Sequence, residues 1–279
     1  MSLEIRNSAD LIKPENLKFK VLIYSPPGGG KTTFASTAPN PGIAACETGQ
    51  GKGIVSVADR NLDYVEPSSY QEIDQFCSGG LFRDKETLVV DSLTEMTRTF
   101  IKDYALSQVS RKHGDSEKRA LGIPELDDYM AMAELTRRLM RKLLDQPKHI
   151  VVTAVEAGYE PPVIDMKHPD RNRAERIGGP DLPGVMRVAA PAMFDIVLRL
   201  VVRPRLLDNN NPKSRVNERF ILTELDDKHA GKNRIVIAGK SVFPPEVPFN
   251  LDTGSGTFGW FLNRFIEAQA KKSTEQSRS

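Results

Sequence analysis

Phe19-Lys20-Val21-Leu22-Ile23-Tyr24-Ser25-Pro26-Pro27-Gly28-Gly29-Gly30-Lys31-Thr32-Thr33-Phe34-Ala35-Ser36 decides how the chain is read. An apolar run, a Gly/Pro-rich turn and a helix-compatible stretch follow in that order, the context a phosphate-binding loop requires. Glycines let successive backbone N–H groups face phosphate oxygens, and a helix N-terminus adds partial positive charge. Lys31 reaches the β- and γ-phosphates and the Thr32 hydroxyl ligates Mg²⁺, so Pro27, Gly28, Gly29, Gly30, Lys31, Thr32 and Thr33 are the expected nucleotide contacts. The stretch departs from the G-x-x-x-x-G-K-[ST] pattern at its first position, where Ser25 replaces glycine. A surface turn that happens to precede a lysine is the competing reading, and the agreement of strand, turn and helix disfavours it.

Outward from the loop, Pro39 and Pro41 end the first helix near Thr37. Gly42–Cys46 reads as a buried strand running into the turn Glu47–Gly51, and residues 62–65 as a short strand. Ser68 and Ser69 cap a helix through about Cys77, with Glu72 at the third position of a capping box. Thr87-Leu88-Val89-Val90-Asp91 is the next strand. An aspartate there, downstream of a phosphate loop, fits a Mg²⁺ ligand, while Asp91-Ser92 before a helical pattern also fits a helix N-cap. Leu93 to about Arg111 and Glu125 to Asp145 read as helices. The Arg137, Arg138, Arg141 and Lys142 group is read as a solvated face, with DNA contact as the alternative.

His149–Val155 is a further buried strand, with Thr153 and Glu156 at its C-terminal end, the edge at which open α/β sheets bind ligands. Strands alternating with helices imply a mostly parallel sheet. Residues 157–183 show no clear pattern and carry Lys167, His168, Arg171, Arg173 and Arg176 among glycines and prolines. That composition fits either a solvated loop or a segment that contacts a phosphate backbone, with Lys167, Arg171, Arg173 and Arg176 as the candidate DNA contacts. A short helix over 184–193 and a strand over 194–202, broken by Pro204, come next. Alternating segments at 218–225 and 234–238 imply antiparallel strands late in the chain. The last helix covers 258–270, with Trp260 in the core. The expected organisation is therefore a lead-in over 1–17, one α/β domain over 18–270 and a disordered tail over 271–279.

The 279 residues, with 39% hydrophobic and 27% charged side chains, suit a globular domain. A net charge of +2 confines any basic nucleic-acid surface to local patches. Cys46 and Cys77 make no disulfide framework, which favours a reducing cytoplasm. No apolar run approaches the ~20 residues of a membrane span.

The ordered motifs resemble those of the phage-encoded RecA-like nucleotide-binding family of AAA type. The residues carrying the resemblance are Tyr24–Thr33, Glu47-Thr48-Gly49, Thr87–Glu95, Val151–Ala154, Leu182-Pro183-Gly184 and Phe194–Leu200. It implies a RecA-like P-loop NTPase fold, with antiparallel strands toward the C-terminus, and an ATPase acting with ATP and Mg²⁺ on single-stranded DNA in annealing or strand pairing. It implies that Lys31, Glu47 and Asp91 are catalytic. Glu47 would activate water, with Glu95 the competing base, and Thr32 and Asp91 would hold the metal. Thr153 or Glu156 would sense the γ-phosphate. Lys228, Lys232 and Arg234 lie where a cation could act on a neighbouring subunit's nucleotide in a ring or filament. A single-strand DNA-binding protein and the cytoplasm of a phage-infected bacterium complete the expectation. A small-molecule phosphotransferase and a nucleotide-gated DNA-binding protein with little hydrolysis are the alternatives.

Overall fold

Lys20–Ser25 forms β1, and every residue in it after Lys20 is buried. The computed structural model describes residues 13, 16–47, 52–108, 122–163, 174–207, 214–224, 226–237 and 239–276. In it, β1 lies inside a ten-stranded mixed sheet, between two parallel neighbours, β5 (His149–Ala157) and β7 (Ile196–Leu206). Beyond β5 the parallel sheet continues through β4 (Thr87–Asp91), β2 (Pro41–Ala45) and β3 (Asp63–Val65). Beyond β7 it turns antiparallel, through β8 (Arg215–Leu222) and β12 (Glu246–Pro248). Two short strands are added antiparallel: β6 (Gly179–Pro180) on the end of β5, and β9 (Lys232–Asn233) on the start of β7. This is the mostly parallel α/β sheet, with late antiparallel strands, that the sequence implies.

Side chains alternate across a strand, and β1 therefore feeds two cores. Leu22 and Tyr24 join Leu88, Val90, Ile150 and Val152 against α3 (Tyr70–Cys77) and α6 (Leu126–Leu144). Val21 and Ile23 join Val89 and Val151 on the other face, with Phe34 of α1 (Lys31–Ala35) and Phe258, Phe261 and Phe265 of α8 (Phe258–Gln276). Coverage on both faces explains why these strands read as unbroken apolar runs. The α3 cap is a variant of the expected box: Ser69 Oγ accepts from the Glu72 N–H, while the Glu72 carboxylate accepts from the N–H of Ser68.

Several expectations need correcting. The helix after Asp91 is α4 (Leu93–Met96) and α5 (Lys102–Gln108), joined by a π-helical segment, Thr97–Ile101. There Thr97 Oγ1 donates to the carbonyls of Leu93 and Thr94, competing for acceptors of the helical ladder. β7 runs through Pro204 to Leu206. Past Arg199 it is paired with β8 and no longer with β1, and proline's missing donor is tolerated where one strand edge has no ladder to complete. β10 (Val236–Ile237) pairs antiparallel with β11 (Lys240–Ser241) in a separate two-stranded sheet rather than in the main one. Trp260 is half-buried, with Arg264 stacked over its ring, because Phe258, Phe261 and Phe265 occupy the inward face of α8. That helix runs on past Ala270 to Gln276. Of the structureless stretch expected over 157–183, the two ends are ordered: Glu160 bridges Arg176, and Gly179–Pro180 pairs with Glu156–Ala157.

His149 at the start of β5 carries a pH signature. Its Nδ1 accepts the Phe19 N–H at 3.0 Å, and the ring lies edge-on to Phe258. Burial, then the charges of Lys18 and Lys20, hold its pKa down to about 4 from 6.5. The unfolded chain therefore takes up the proton first. Stability falls as pH drops through 6.5 and levels off near 4. The loss attributable to this ring is about 3 kcal/mol. Denaturant unfolding between pH 7 and 4 checks this, and His149→Asn, whose Oδ1 can still accept from Phe19, should flatten that part of the profile.

Candidate functional site

The loop after β1 makes its turns at Gly28 and Gly30, whose φ values of 75° and 110° suit glycine. Gly29 is required for a different reason. A Cβ there would stand 2.3 Å from Ser25 Oγ and 2.8 Å from Ser25 Cβ. Ser25 is fully buried, so the side chain that departs from the usual pattern lies under a residue that has none. Lys31 Nζ folds back onto this floor, donating to Ser25 O at 3.1 Å, Ser25 Oγ at 3.2 Å and Pro26 O at 3.2 Å. Burial lowers the Lys31 pKa, opposed by the negative charges of Asp91, Glu47 and Glu156. From outside, Arg219 of β8 donates its Nε to Gly29 O at 3.1 Å. Nothing in the local spacing announces that contact, since the two residues lie 190 positions apart.

β5 separates β1 from β4, and its register sets Thr153 opposite Ile23 while Val152 lies opposite Val90. Thr153 therefore stands between the loop and Asp91. Thr32 Oγ1 donates to Asp91 Oδ2 at 2.7 Å, and Thr153 Oγ1 donates to Asp91 Oδ1. Asp91 is not the helix cap: Ser92 is, its Oγ accepting the Glu95 N–H at 3.4 Å. Glu47 follows β2, which is in register with β4 so that Ala45 faces Asp91. It accepts the backbone N–H of Gly53 in α2 (Lys52–Val55). A Cβ on Gly53 would lie 3.0 Å from Glu47 Oε2, 3.1 Å from Asp91 Oδ2 and 3.3 Å from Thr32 Oγ1. Glu47, Asp91 and Thr32 thus aim their oxygens at one small volume that only glycine leaves open. Such an all-oxygen set, with one or two carboxylates, suits Mg²⁺ shared with phosphates. Burial and the Asp91 charge raise the Glu47 pKa.

The other expected residues distribute unevenly. Glu156, at the end of β5, is paired with Arg199 of β7 at 2.8 Å, with His229 Nε2 3.7 Å away. Lys228 shares this edge and lies over the Tyr159 ring. Lys232 and Arg234 do not. They sit by the start of β7, where Lys232 Nζ donates at 2.8 Å to the carbonyl of Ala192 in α7 (Met186–Met193) and Arg234 lies 3.9 Å from Asp195. Arg176 is exposed and lies 3.6 Å from Glu160. Thr48, Gly49, Lys167, Arg171 and Arg173 lie outside the described residues. Gly53, Arg199 and Arg219 were missed from the sequence. Arg199 alone falls within a stretch that carries the family resemblance, Phe194–Leu200, and it was given no role there.

The Ser25–Gly29 contact yields a mutational cycle. Gly29→Ala should cost about 1–3 kcal/mol of stability through overpacking. Ser25→Gly in the same chain removes both clashing atoms, leaving Pro26 O at 3.2 Å as the nearest neighbour. Denaturant unfolding of the four proteins should then give a favourable coupling of about 1 kcal/mol or more, and additivity would refute the contact.

Among solved structures, the chain is similar to a KaiC-like protein from Pyrococcus horikoshii, at 12% identity and a TM-score of 0.42, covering 84% of this chain and 86% of that one. It is also similar to the flagellar accessory protein FlaH of Methanocaldococcus jannaschii, at 11% identity and a TM-score of 0.41, covering 90% and 93%. No curated protein matches it significantly. The family described as an AAA domain matches residues 17–235, spanning the phosphate loop, Glu47, Asp91, Thr153 and Glu156. The chain belongs to that AAA-domain family of P-loop nucleotide-binding proteins.

Proposed function

We propose that the chain binds ATP with Mg²⁺, hydrolyses it, and uses the cycle to act on single-stranded DNA in phage recombination, by annealing or strand pairing. The observation carrying the hydrolytic part is the convergence of Thr32, Asp91 and Glu47 on the space beside Gly53, next to Lys31. Lys31 exchanges the Ser25 and Pro26 acceptors for phosphate oxygens and opposes their charge. Thr32 and Asp91 hold Mg²⁺, which when bound neutralises charge on the phosphate oxygens. Glu47 orients water and accepts its proton. Its Oε2 shares the Gly53 volume with Asp91 and Thr32. Glu95, whose backbone N–H is tied to the Ser92 cap on α4, adds to the raised Glu47 pKa through its charge. Thr153 couples the end of β5 to the metal-binding carboxylate.

The DNA-directed part draws support from the resemblance of the motifs and from where the basic segment is rooted. The stretch between Ala157 and Gly179 starts and ends at the tip of β5, four residues beyond Thr153. A polymer held by Lys167, Arg171, Arg173 and Arg176 would act on the strand that supports Asp91. In a ring or filament, Lys228, Lys232 or Arg234 would supply a cation to a neighbour's nucleotide, and a single-strand DNA-binding protein would present the substrate. No helix among the described residues is long and apolar enough to cross a membrane.

Phosphate release, measured with and without single-stranded DNA in ~0.1 M salt, should rise with DNA in the wild type and vanish in Lys31→Ala. Glu47→Gln should retain ATP binding and lose roughly 10²–10⁴ in turnover. Unchanged turnover in Glu47→Gln would remove it as the base, and hydrolysis indifferent to DNA would remove the DNA assignment.

A further inference from the structure

Glu156 and Arg199 wall one side of a cavity of about 390 Å³ whose other side is Pro26–Gly29 of the phosphate loop. Arg199 is the one cation among its lining residues. The pair is lopsided. Arg199 Nε and Nη2 both donate to Glu156 Oε1, at 3.1 and 2.8 Å, whereas Glu156 Oε2 is buried without a hydrogen-bond partner. The contacts of the pair with its other neighbours are looser: His229 Nε2 lies 3.7 Å from Glu156 Oε1, and Arg199 Nη1 lies 4.0 Å from Asp226 Oδ2. A guanidinium has five donors in a planar fork. Binding one carboxylate oxygen leaves donors for a second anion.

The backbone fixes where that anion would be met. Arg199 lies in register with Tyr24, one residue before the loop begins. Lys31 Nζ lies 3.2 Å from Pro26 O, and Pro26 lines the cavity, so the Lys31 ammonium and the Arg199 guanidinium approach the same end of the loop. A carboxylate beside an arriving phosphate is repulsive unless a cation stands between them. We propose that Arg199 is a phosphate-binding residue of this chain's own site, contacting the terminal phosphate of a bound nucleoside triphosphate, and that Glu156 is the positioning residue that holds its guanidinium at the cavity. The inference rests on reading Ser25–Thr32 as a triphosphate site. It adds a cation supplied by the same chain, distinct from any that a neighbouring subunit would bring.

Titration of the full chain with a fluorescent non-hydrolysable ATP analogue and with the matching ADP separates the possibilities. Arg199→Ala should weaken the triphosphate by about tenfold or more while leaving the diphosphate within about twofold. Arg199→Lys should recover part of the loss. Glu156→Ala, which releases the guanidinium, should weaken the triphosphate severalfold and leave the diphosphate within about twofold, and Glu156→Gln, whose Oε1 can still accept from Arg199, should recover that loss. If Arg199→Ala does not fold by circular dichroism, Arg199→Gln, which retains a donor but no charge, carries the same expectation. A purely structural ion pair would instead make the Arg199 and Glu156 variants weaken both nucleotides together. That outcome, or an unchanged triphosphate affinity in Arg199→Ala, overturns the proposal. A wild type that binds neither nucleotide overturns the underlying phosphate-site reading, which Lys31→Ala tests separately.

Discussion

The carboxylate of Asp91 is the constraint on which the site depends. It is buried at the end of β4, where an anion needs donors in place of water. Two hydroxyls meet it: Thr32, from the first turn after the phosphate loop, and Thr153, from the strand inserted between β1 and β4. Each belongs to a different segment, and all three are brought level only because β5 separates the other two strands. Sheet order and site chemistry are therefore the same fact. A register slip of one residue in β5 would turn Thr153 to the opposite face and leave one Asp91 oxygen without its donor.

What could be read in the sequence follows from how far apart the participating residues lie. The phosphate loop was legible because its glycines, lysine and threonine are consecutive and their roles depend on local backbone geometry. Asp91 was half legible. Asp91-Ser92 offers two good capping residues in a row, and only the structure shows that Ser92 takes the cap and leaves Asp91 to the hydroxyls. Glu47 had no local signature, and neither did its meeting with Gly53 across the turn. Arg219, which donates to Gly29, and Arg199, which borders a cavity beside the loop, come from strands late in the chain. Pairings of that kind are set by β7 and β8 as a unit, and the alternation of β8 in the sequence says where its faces are, not what they touch. Pro204 and Trp260 misled for a common reason. Residue type gives a tendency, and the free edge of β7 and the phenylalanines of α8 overrode it.

Ser25 shows how a motif can tolerate a departure. A side chain at that position fills space beneath the loop, and Gly29 supplies the room by having no Cβ. The same serine offers its carbonyl and hydroxyl to Lys31, and Arg219 steadies Gly29 from the opposite side. The loop is thus clamped between a buried hydroxyl and an external guanidinium, so its shape is set before any phosphate arrives. Binding then need not order the loop, a cost that would otherwise subtract from affinity.

The paired feet of the stretch between Ala157 and Gly179 have a consequence for how such a protein can diversify. Glu156–Ala157 and Gly179–Pro180 hold the two ends side by side, with Glu160 and Arg176 bridged just beyond. Once the ends are fixed, closure entropy grows only with the logarithm of length, about 0.6 kcal/mol for each doubling. The intervening residues can lengthen, shorten or change composition while the strand beneath them keeps its register with β1 and β4. A lineage can in this way exchange the residues between these two ends and leave the nucleotide-binding end of the sheet intact.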